Sequence, residues 1–456
     1  MFPAVSPDPG VPAKADRSTD FPALAVVAIY AALQIALMIG HDPWIDEAQA
    51  WLWAIAPIAN PIDLFIIPGE GHPPLWHWLL RALSSVLDFS QVRYITLPIA
   101  ILNAFLLSRL LRGELLLLFL LLGSFTVLQF WGYHFRPYGL VFTCVISALL
   151  FERNGRPIAG TWALAIACAL HFFAGFLLAL WLVWQWHKGT SLVRLLPPSL
   201  FAAAFGVIAI LSGLGNTTTG PENPDLFAGI LYNLGWIGMT EPLRGPIMAV
   251  ITIAALVVGL RRQPLMLATL LALLAAFSIG TALVYGKYPW HSAFQTMLCL
   301  MAFVLVGINT ERRWILALLL TPQFFYGIAA VNYRLANPSW VGDDLYAVIT
   351  ADAGEGFETQ TDLFAWPELA GTAIAAFNNV QLRSGNDDSM MGPIDWRTYN
   401  GAEIAPELLD NPDPYWLVCA KCQILRPALE ANGKHLTLLG TRLNVDNGEF
   451  EAYRVD

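Results

Sequence analysis

The sequence predicts a polytopic α-helical membrane protein that carries a small α/β domain at its C-terminal end. Of the 456 residues, 56% are hydrophobic and only 13% are charged, and the mean hydropathy is +0.56. Runs such as 115–122 and 315–320 are apolar at every position, so they lack the polar face of a helix at a protein surface. Residues 331–456 hold 19 acidic and 8 basic residues, whereas residues 1–330 hold 15 and 17. This difference in charge predicts two parts that face different solvents.

Eleven apolar runs predict about eleven transmembrane helices, since a crossing helix needs ~20 mostly apolar residues. The runs are 21–40, 92–108, 114–131, 138–151, 158–171, 173–187, 195–213, 246–260, 264–284, 294–308 and 314–330. Residues 1–20 are rich in Pro and Asp and lack the apolar stretch of a cleaved signal peptide, so we predict a cytoplasmic tail there. The transmembrane domain is predicted to cover residues 21–330.

The Lys and Arg residues between the runs predict the orientation. If the N-terminus is cytoplasmic, twelve basic residues lie on the inside and five on the outside, as the positive-inside rule requires. Runs 158–171 and 173–187 could instead form one long helix, which would invert every later span and move four arginines outside. The charge distribution favours two helices. An odd number of spans then places residues 331–456 on the periplasmic or extracytoplasmic side of the inner (cytoplasmic) membrane.

Residues 331–456 are predicted to form a small extracytoplasmic α/β domain, because short β-type runs alternate there with turns rich in Gly, Asn, Asp and Pro. The predicted strands are 347–350, 415–418 and 436–439, and helices are predicted to start at 406–409 and 427–431. Cys419 and Cys422 form a disulfide candidate if this domain lies in an oxidising compartment. Two free thiols are the alternative.

The first external loop, residues 41–91, carries an adjacent pair of acids, Asp46 and Glu47. They precede Trp51 and Trp53, which are typical of a helix held at the membrane surface. Acids also favour the first turn of any helix, so a purely structural role is the alternative. We expect nearby cations to lower the pKa of Asp46 more than partial burial raises it. The pair could also hold a divalent metal cation, although the sequence contains no complete ligand set.

Further turns on the predicted outer side carry histidines and basic residues. His72 precedes two prolines, which permit a helix to start, and Arg136 opens the fourth span. An arginine at membrane depth is costly and typically functional. Five other candidates on these turns are His134, Tyr138, His171, Lys287 and His291. Packing of the histidines and snorkelling of the lysine are the alternatives for single residues.

Together these residues predict an anionic, membrane-borne substrate on the outer side. Arg136 and Lys287 could neutralise a phosphate through charge-assisted hydrogen bonds, and a carboxylate could accept a proton from a hydroxyl group. The sequence contains no P-loop, GxSxG, HExxH or dinucleotide-binding motif. A pre-activated lipid donor would therefore supply the energy of a transfer, and no cofactor is predicted beyond the possible metal cation.

The ordered set of motifs resembles the GT-C membrane glycosyltransferases, particularly the branch of protein O-mannosyltransferases and aminoarabinose transferases. The matching pieces are Asp46-Glu47, His72-Pro73-Pro74-Leu75 and Arg136-Pro137-Tyr138-Gly139-Leu140. The aminoarabinose branch has a lysine in a His-Lys-Pro-Pro motif, and this chain has none. Residues 190–330 match no motif of the family.

The resemblance implies a GT-C fold and an inverting transfer of a sugar from a polyprenyl-phosphate donor to an extracytoplasmic glycan, lipid or protein. It implies that Asp46 is the general base and that Glu47 contacts donor or acceptor. It also implies that His72 and Arg136 bind the donor phosphate. Lys287 and His291 are assigned to the same phosphate from the topology alone, and His134, Tyr138 and His171 remain further site candidates.

Two other classes of function stay open at this point. A transporter or flippase for lipid-linked sugars would also place basic residues at membrane depth, but it would more naturally show related halves, and the sequence shows no internal repeat. A non-catalytic envelope-assembly protein would bind partners through the outer domain and would not need the Asp46-Glu47 pair. No nucleic-acid partner is predicted.

Overall fold

The chain is a multi-pass, mostly helical membrane protein. Its computed structural model describes residues 20–41, 43, 45–57, 61–216, 226–235, 245–285, 289–338, 342–444 and 448–456. Five helices of the described residues are long and apolar enough to cross a membrane, or six if one bent pair counts as a span. The five are Phe21–Ile39, Phe89–Leu110, Leu192–Gly213, Pro264–Val284 and Thr310–Ala336. The predicted tail, apart from Asp20, and Lys287 lie outside the described residues.

The described residues before position 342 fold into helices α1 to α15, joined by short 3-10 and π-helical segments. These helices are α1 (Asp20–Ile39), α2 (Ile45–Ile55), α3 (Leu75–Leu83), α4 (Phe89–Val92), α5 (Thr96–Leu110), α6 (Leu115–Leu122), α7 (Tyr138–Arg153), α8 (Pro157–Leu170), α9 (Ala174–His187), α10 (Leu192–Gly213), α11 (Leu226–Gly235), α12 (Pro246–Leu260), α13 (Pro264–Val284), α14 (Pro289–Leu305) and α15 (Thr310–Ala336). The short helices α2 and α3 lie in the predicted first external loop.

Every predicted span coincides with one of these helices or with a bent pair of helices. The separation of α8 from α9 is confirmed, since α8 ends at Leu170 and α9 begins at Ala174. Several of the helices are shorter than a membrane requires, for example α8 with 14 residues. The count of eleven crossings and the orientation therefore stay predictions.

The third predicted span bends by 64° between α6 and a π-helical segment, Thr126–Tyr133. A bend leaves backbone carbonyl groups without their helical partners, which is costly in a membrane. Side chains of α1 satisfy two of them. Tyr30 donates to the carbonyl oxygen of Val127 at 3.2 Å, and Gln34 donates to that of Leu128 at 3.0 Å. The bend is thus a stable feature, and it ends just before the predicted site arginine.

Residues 342–456, the C-terminal unit, contain a five-stranded mixed sheet with helices. Its elements are α16 (Gly342–Ala353), α17 (Thr359–Asp362), β1 (Leu363–Trp366), α18 (Thr372–Asn378), β2 (Arg383–Ser384), α19 (Pro406–Asp410), β3 (Tyr415–Ala420), α20 (Cys422–Ala431), β4 (Leu436–Asn444) and β5 (Gly448–Val455). The strand order is β2-β1-β3-β5-β4. Strand β1 runs parallel to β2 and β3, whereas β5 runs antiparallel to β3 and β4.

The small α/β architecture is confirmed, with two corrections. The predicted strand at 347–350 is wrong, because these residues lie in α16. Its buried residues Leu345 and Ile349 are four positions apart, which is a helical spacing that the β-branched residues nearby concealed. The helix predicted to start at Pro427 starts at Cys422 instead. The domain boundary at residue 331 and the extracytoplasmic location remain predictions.

The C-terminal unit packs directly on α2, the helix that carries the acid pair. Helix α18 contacts α2, and Trp51 and Ile374 belong to one buried apolar cluster. At the other end of α2, the Arg81 guanidinium of α3 donates to the carbonyl oxygens of Ala54 (2.8 Å) and Ala56 (2.7 Å). These contacts fix α2 between α3 and α18.

Candidate active site

Three segments meet at the first turn of α2: that turn itself, the turn of residues 69–72, and residues 134–137 between the bent span and α7. Pro74 and Pro137 are the N-caps of α3 and α7. Proline fits a helix start because its φ is fixed and it has no N–H to leave unpaired. His72 and Arg136 therefore lie in turns that end directly before a helix, and both turns face α2.

Arg136 lies at the centre of this cluster and is only 5% exposed. Its Nη1 donates to the backbone carbonyl oxygen of Asp46 at 2.8 Å. Its Nη2 lies 3.4 Å from Nε2 of His72, and its side chain also bonds Tyr138. The guanidinium is thus tied to all three elements that surround it.

His72 bridges Arg136 and the neighbouring turn. Its Nδ1 lies 2.9 Å from the carbonyl oxygen of Glu70, which can only accept a hydrogen bond. Nδ1 therefore carries the proton, and Nε2 accepts from Arg136. Burial and the neighbouring Arg136 charge lower the pKa of His72 to about 3, so the imidazole is neutral near pH 7. His72 orients the guanidinium and contributes no positive charge of its own.

Glu70 belongs to the same cluster, although sequence reasoning did not select it. Its carboxylate Oε1 lies 3.6 Å from Nδ1 of His72, and Oε2 accepts from the Trp396 indole at 3.2 Å. Burial raises the pKa of Glu70 to about 7, although Arg136 opposes this. The sequence did contain a signal for Glu70, because it is an acid two residues before His72 in the same predicted external loop.

Asp46 lies in the first turn of α2, as predicted, but the expected direction of its pKa shift is wrong. Burial raises the pKa of Asp46 above its ordinary value, and the nearby Arg136 charge does not reverse this. The adjacent Glu47 carboxylate adds to the upward shift. Desolvation by the surrounding protein outweighs the attraction of Arg136, the one cation among the described residues that acts on Asp46.

Glu47 faces a different set of partners from Asp46, as adjacent positions on a helix require. Its side chain is fully buried and lies 2.9 Å from Nε2 of His41. Its other oxygen accepts the backbone N–H of Phe135. The His41 ring stacks on His134, with ring centroids 5.4 Å apart. Glu47 and His134 therefore belong to a buried network that supports residues 134–137 from behind.

The remaining described candidates extend the cluster toward the spans. The His171 ring centroid lies 5.1 Å from that of His72, 5.3 Å from that of Tyr138 and 6.5 Å from that of His291. His171 occupies the break between α8 and α9, and His291 lies in the first turn of α14. The structure thus brings together residues from four of the predicted external connections.

Two buried nitrogen atoms next to His72 and Asp46 stand out because no hydrogen bond is described for them. They are Nε of Arg136 and Nε2 of His171. Buried polar atoms are normally paired, and an unpaired one typically marks a place for a ligand or a bound water. The Arg136 Nε–H is a donor on a permanent cation, so it favours an anion. The cluster therefore places a buried cation with an unpaired donor beside a carboxylate.

The described residues offer no group of three metal-binding side chains at the acid pair. Their one such group is Cys419, Cys422 and Glu451. In the structure Cys419 and Cys422 are joined by a disulfide between β3 and α20, so their sulfur atoms are already bonded. Both oxygens of Glu47 already accept hydrogen bonds, one from His41 and one from the Phe135 N–H.

No protein-family model and no curated protein matches the sequence. Two solved structures match the fold, both of ArnT from Cupriavidus metallidurans. The structure bound to undecaprenyl phosphate has a TM-score of 0.56 and 13% identity, over 94% of this chain and 97% of that chain. The apo structure has a TM-score of 0.53 and 13% identity, over 96% and 98%. The resemblance to GT-C membrane glycosyltransferases is thereby confirmed at the level of the fold.

Proposed function

We propose that this protein is an inverting glycosyltransferase that moves a sugar from a polyprenyl-phosphate donor to an extracytoplasmic acceptor. One observation carries the proposal: the buried Arg136 guanidinium has an unpaired Nε–H among the described residues and is bonded to the backbone of the carboxylate residue Asp46. Transfer of a sugar from a phosphate donor needs a cation for the phosphate beside a proton acceptor for the incoming hydroxyl group. Arg136 can supply the first and Asp46 the second.

In the proposed reaction, an acceptor hydroxyl oxygen attacks the anomeric carbon of the donor sugar. The Asp46 carboxylate takes the hydroxyl proton as the new carbon–oxygen bond forms. The bond between the anomeric carbon and the phosphate oxygen breaks, and the polyprenyl phosphate leaves with the bonding electron pair. Arg136 stabilises the charge that grows on this phosphate. The configuration inverts because one displacement occurs.

The other residues of the cluster support Asp46 and Arg136. His72 and Glu70 orient the guanidinium of Arg136, and Glu47 supports residues 134–137 through the Phe135 N–H. His171, Tyr138 and His291 line the space toward the spans, where the unpaired Nε2 of His171 can bind the phosphate. Lys287 is proposed as a second cation for the phosphate. A metal ion between Asp46 and Glu47 is not part of this proposal.

The choice of donor is supported by the fold, since the similar ArnT structure was solved with undecaprenyl phosphate. A fold does not by itself fix a function, so the proposal also rests on the site chemistry, a buried cation beside a carboxylate. We propose that the site and the C-terminal unit face the extracytoplasmic side of the inner membrane. The acceptor is then an envelope glycan, lipid or protein.

The test begins with binding of undecaprenyl phosphate to the purified full-length protein in lipid nanodiscs. Mass spectrometry of envelope glycans, lipids and proteins from cells with and without the protein then identifies the product. A sugar modification that depends on the protein and is lost in Asp46→Asn supports the transferase. Transport of a lipid-linked sugar that persists in Asp46→Asn, without any transfer, would instead establish the flippase.

A further inference from the structure

A short segment of the C-terminal unit, residues 394–397, lies against the candidate active site. The Trp396 indole N–H donates to the Glu70 carboxylate at 3.2 Å. The adjacent Ile394 carbonyl oxygen accepts from the Gln49 side chain of α2 at 2.9 Å. Both contacts join residues more than 300 positions apart. The segment therefore touches the two elements that present Asp46 and His72.

The packing at this contact leaves little freedom. Gly69 adopts φ +73°, and a Cβ atom there would meet Cβ of Trp396 at 2.8 Å and the Arg397 nitrogen at 3.1 Å. Asn216, just after α10, donates to the Gly69 carbonyl oxygen at 2.6 Å. The 69–72 turn thus contacts both Asn216 and the segment 394–397. A glycine is required at position 69 because any side chain there would push the turn away from Trp396 and Arg397.

The segment is itself well ordered by local bonds. The Arg397 guanidinium donates twice to the Asp395 carboxylate, with Nε to Oδ1 at 2.9 Å and Nη2 to Oδ2 at 2.6 Å. The Trp396 ring packs edge-on against Tyr399 with centroids 5.6 Å apart. The indole N–H is therefore presented in one orientation, toward Glu70.

We propose that Trp396 is a positioning residue, through which the C-terminal unit completes the active site. Its N–H fixes the Glu70 carboxylate, whose other oxygen lies 3.6 Å from Nδ1 of His72. The Glu70 backbone carbonyl accepts the Nδ1 proton, and together these contacts keep Nε2 of His72 toward Arg136. The inference rests on the proposed function for its catalytic meaning, but the positioning itself can be measured without any reaction. The C-terminal unit is then part of the machinery that binds the donor phosphate.

The charged and titratable groups around Glu70 determine how the hydrogen bond from Trp396 should affect the pKa of Glu70. Arg136, Asp46, His72 and Tyr285 act on this carboxylate in addition to Trp396. Burial raises the pKa of Glu70, and the Trp396 N–H lowers it because it stabilises the charged form. Loss of this single bond should therefore move the pKa of Glu70 further up, by roughly one pH unit.

The decisive variant is Trp396→Phe, which keeps an aromatic ring but removes the N–H. The matched control is Trp416→Phe, because the Trp416 N–H donates to the Asp352 carboxylate at 2.9 Å elsewhere in the C-terminal unit. Infrared spectroscopy of the full-length protein follows the protonated carboxyl band of Glu70, assigned as the band that Glu70→Gln removes. We expect this titration to shift to higher pH in Trp396→Phe alone.

Binding of undecaprenyl phosphate as a function of pH gives the functional readout. Ionised Glu70 repels the phosphate, so we expect the decline in affinity with rising pH to move upward in Trp396→Phe and to disappear in Glu70→Gln, which retains only the titration of the phosphate. A Glu70 titration that is identical in Trp396→Phe and wild type would overturn the inference. If the titration shifts but no sugar transfer is ever found, the proposed function fails and the positioning role stands.

Discussion

Arg136 binds the backbone of Asp46 and not only the charge of its side chain. The Nη1 nitrogen lies 2.8 Å from the Asp46 carbonyl oxygen, a contact that any residue at position 46 would preserve. Substitution of the Asp46 side chain therefore leaves Arg136 anchored. This separation makes it possible to test the proton acceptor and the anion site independently.

The first prediction concerns Asp46→Asn, which preserves the shape of the side chain and removes its basicity. Transfer should fall by about 10²–10⁴-fold, the usual contribution of a general base. Affinity for undecaprenyl phosphate should stay close to that of wild type. The matched control is Asp63→Asn, an exposed acid in the same predicted loop, which should transfer normally. Normal transfer by Asp46→Asn would remove Asp46 from the role of base.

The second prediction concerns Arg136→Ala. The loss of a buried charge-assisted contact of ~1.5–3 kcal/mol should weaken binding of undecaprenyl phosphate by about 10–100-fold. The affinity of Arg136→Lys should lie between those of wild type and Arg136→Ala, because an ammonium group cannot reach the Asp46 carbonyl oxygen and His72 together. Arg442→Ala is the control, since Arg442 pairs with Asp344 at 3.0 Å in the C-terminal unit. Equal affinity in a folded Arg136→Ala protein would exclude the proposed phosphate site.

The third prediction concerns the buried network behind the site. Glu47→Ala leaves the Phe135 N–H and the His41 imidazole without their shared acceptor, so the free energy of unfolding should drop by ~1–3 kcal/mol. Transfer should fall as well, although Asp46 is intact, because residues 134–137 lose their support. Thermal unfolding in detergent measures the first effect. Glu407→Ala, which removes an exposed carboxylate, should change neither quantity.

The fourth prediction concerns the pH dependence of stability at Glu70. The pKa of Glu70 is about 7 in the folded protein and 4.5 ordinarily, so between these values the folded state binds more protons than the unfolded state. The contribution of this group to stability is thus present at low pH and is lost as pH rises through 7, by roughly 1.4 kcal/mol for each pH unit in that window. Glu70→Gln should therefore gain stability relative to wild type from pH 5 to pH 7, and the difference should level off above pH 7. A constant difference would contradict the assigned environment.

The fifth prediction concerns topology. Eleven crossings with a cytoplasmic N-terminus place Asp456 outside, so alkaline phosphatase fused after this residue should be active and a fluorescent protein that folds only in the cytoplasm should be dark. The opposite pattern would invert the orientation and move the site to the cytoplasmic face. Fusions after residues 153 and 189, which are predicted to lie inside, provide the opposite control.

Apolar runs predicted the helices well because lipid and protein interior both favour apolar side chains along the whole of a buried helix. The same reasoning found His72 and Arg136, since polar groups beside such runs are conspicuous. It failed at 347–350, where the β-branched residues Val348, Ile349 and Thr350 suggested a strand but packing of α16 selected a helix.

The missed parts of the site depend on long-range contacts. Glu70 lies between two glycines and reads locally as part of a turn, and Trp396 follows it by 326 residues. No local pattern connects the two. The direction of the Asp46 pKa shift was wrong for a related reason, because the degree of burial at α2 is set by how the surrounding segments pack around it.

The packing of α18 on α2 also has a consequence for biogenesis. Gln49 and Ile394 are 345 residues apart, so α2 is synthesised long before the unit that covers it. Chains are made from the N-terminus, and early segments must wait for later ones. During that interval we expect the apolar face of α2, with Trp51 and Leu52, to lie at the membrane surface, as amphipathic helices do. The C-terminal unit then covers this face, so the site can be complete only after that unit has been made.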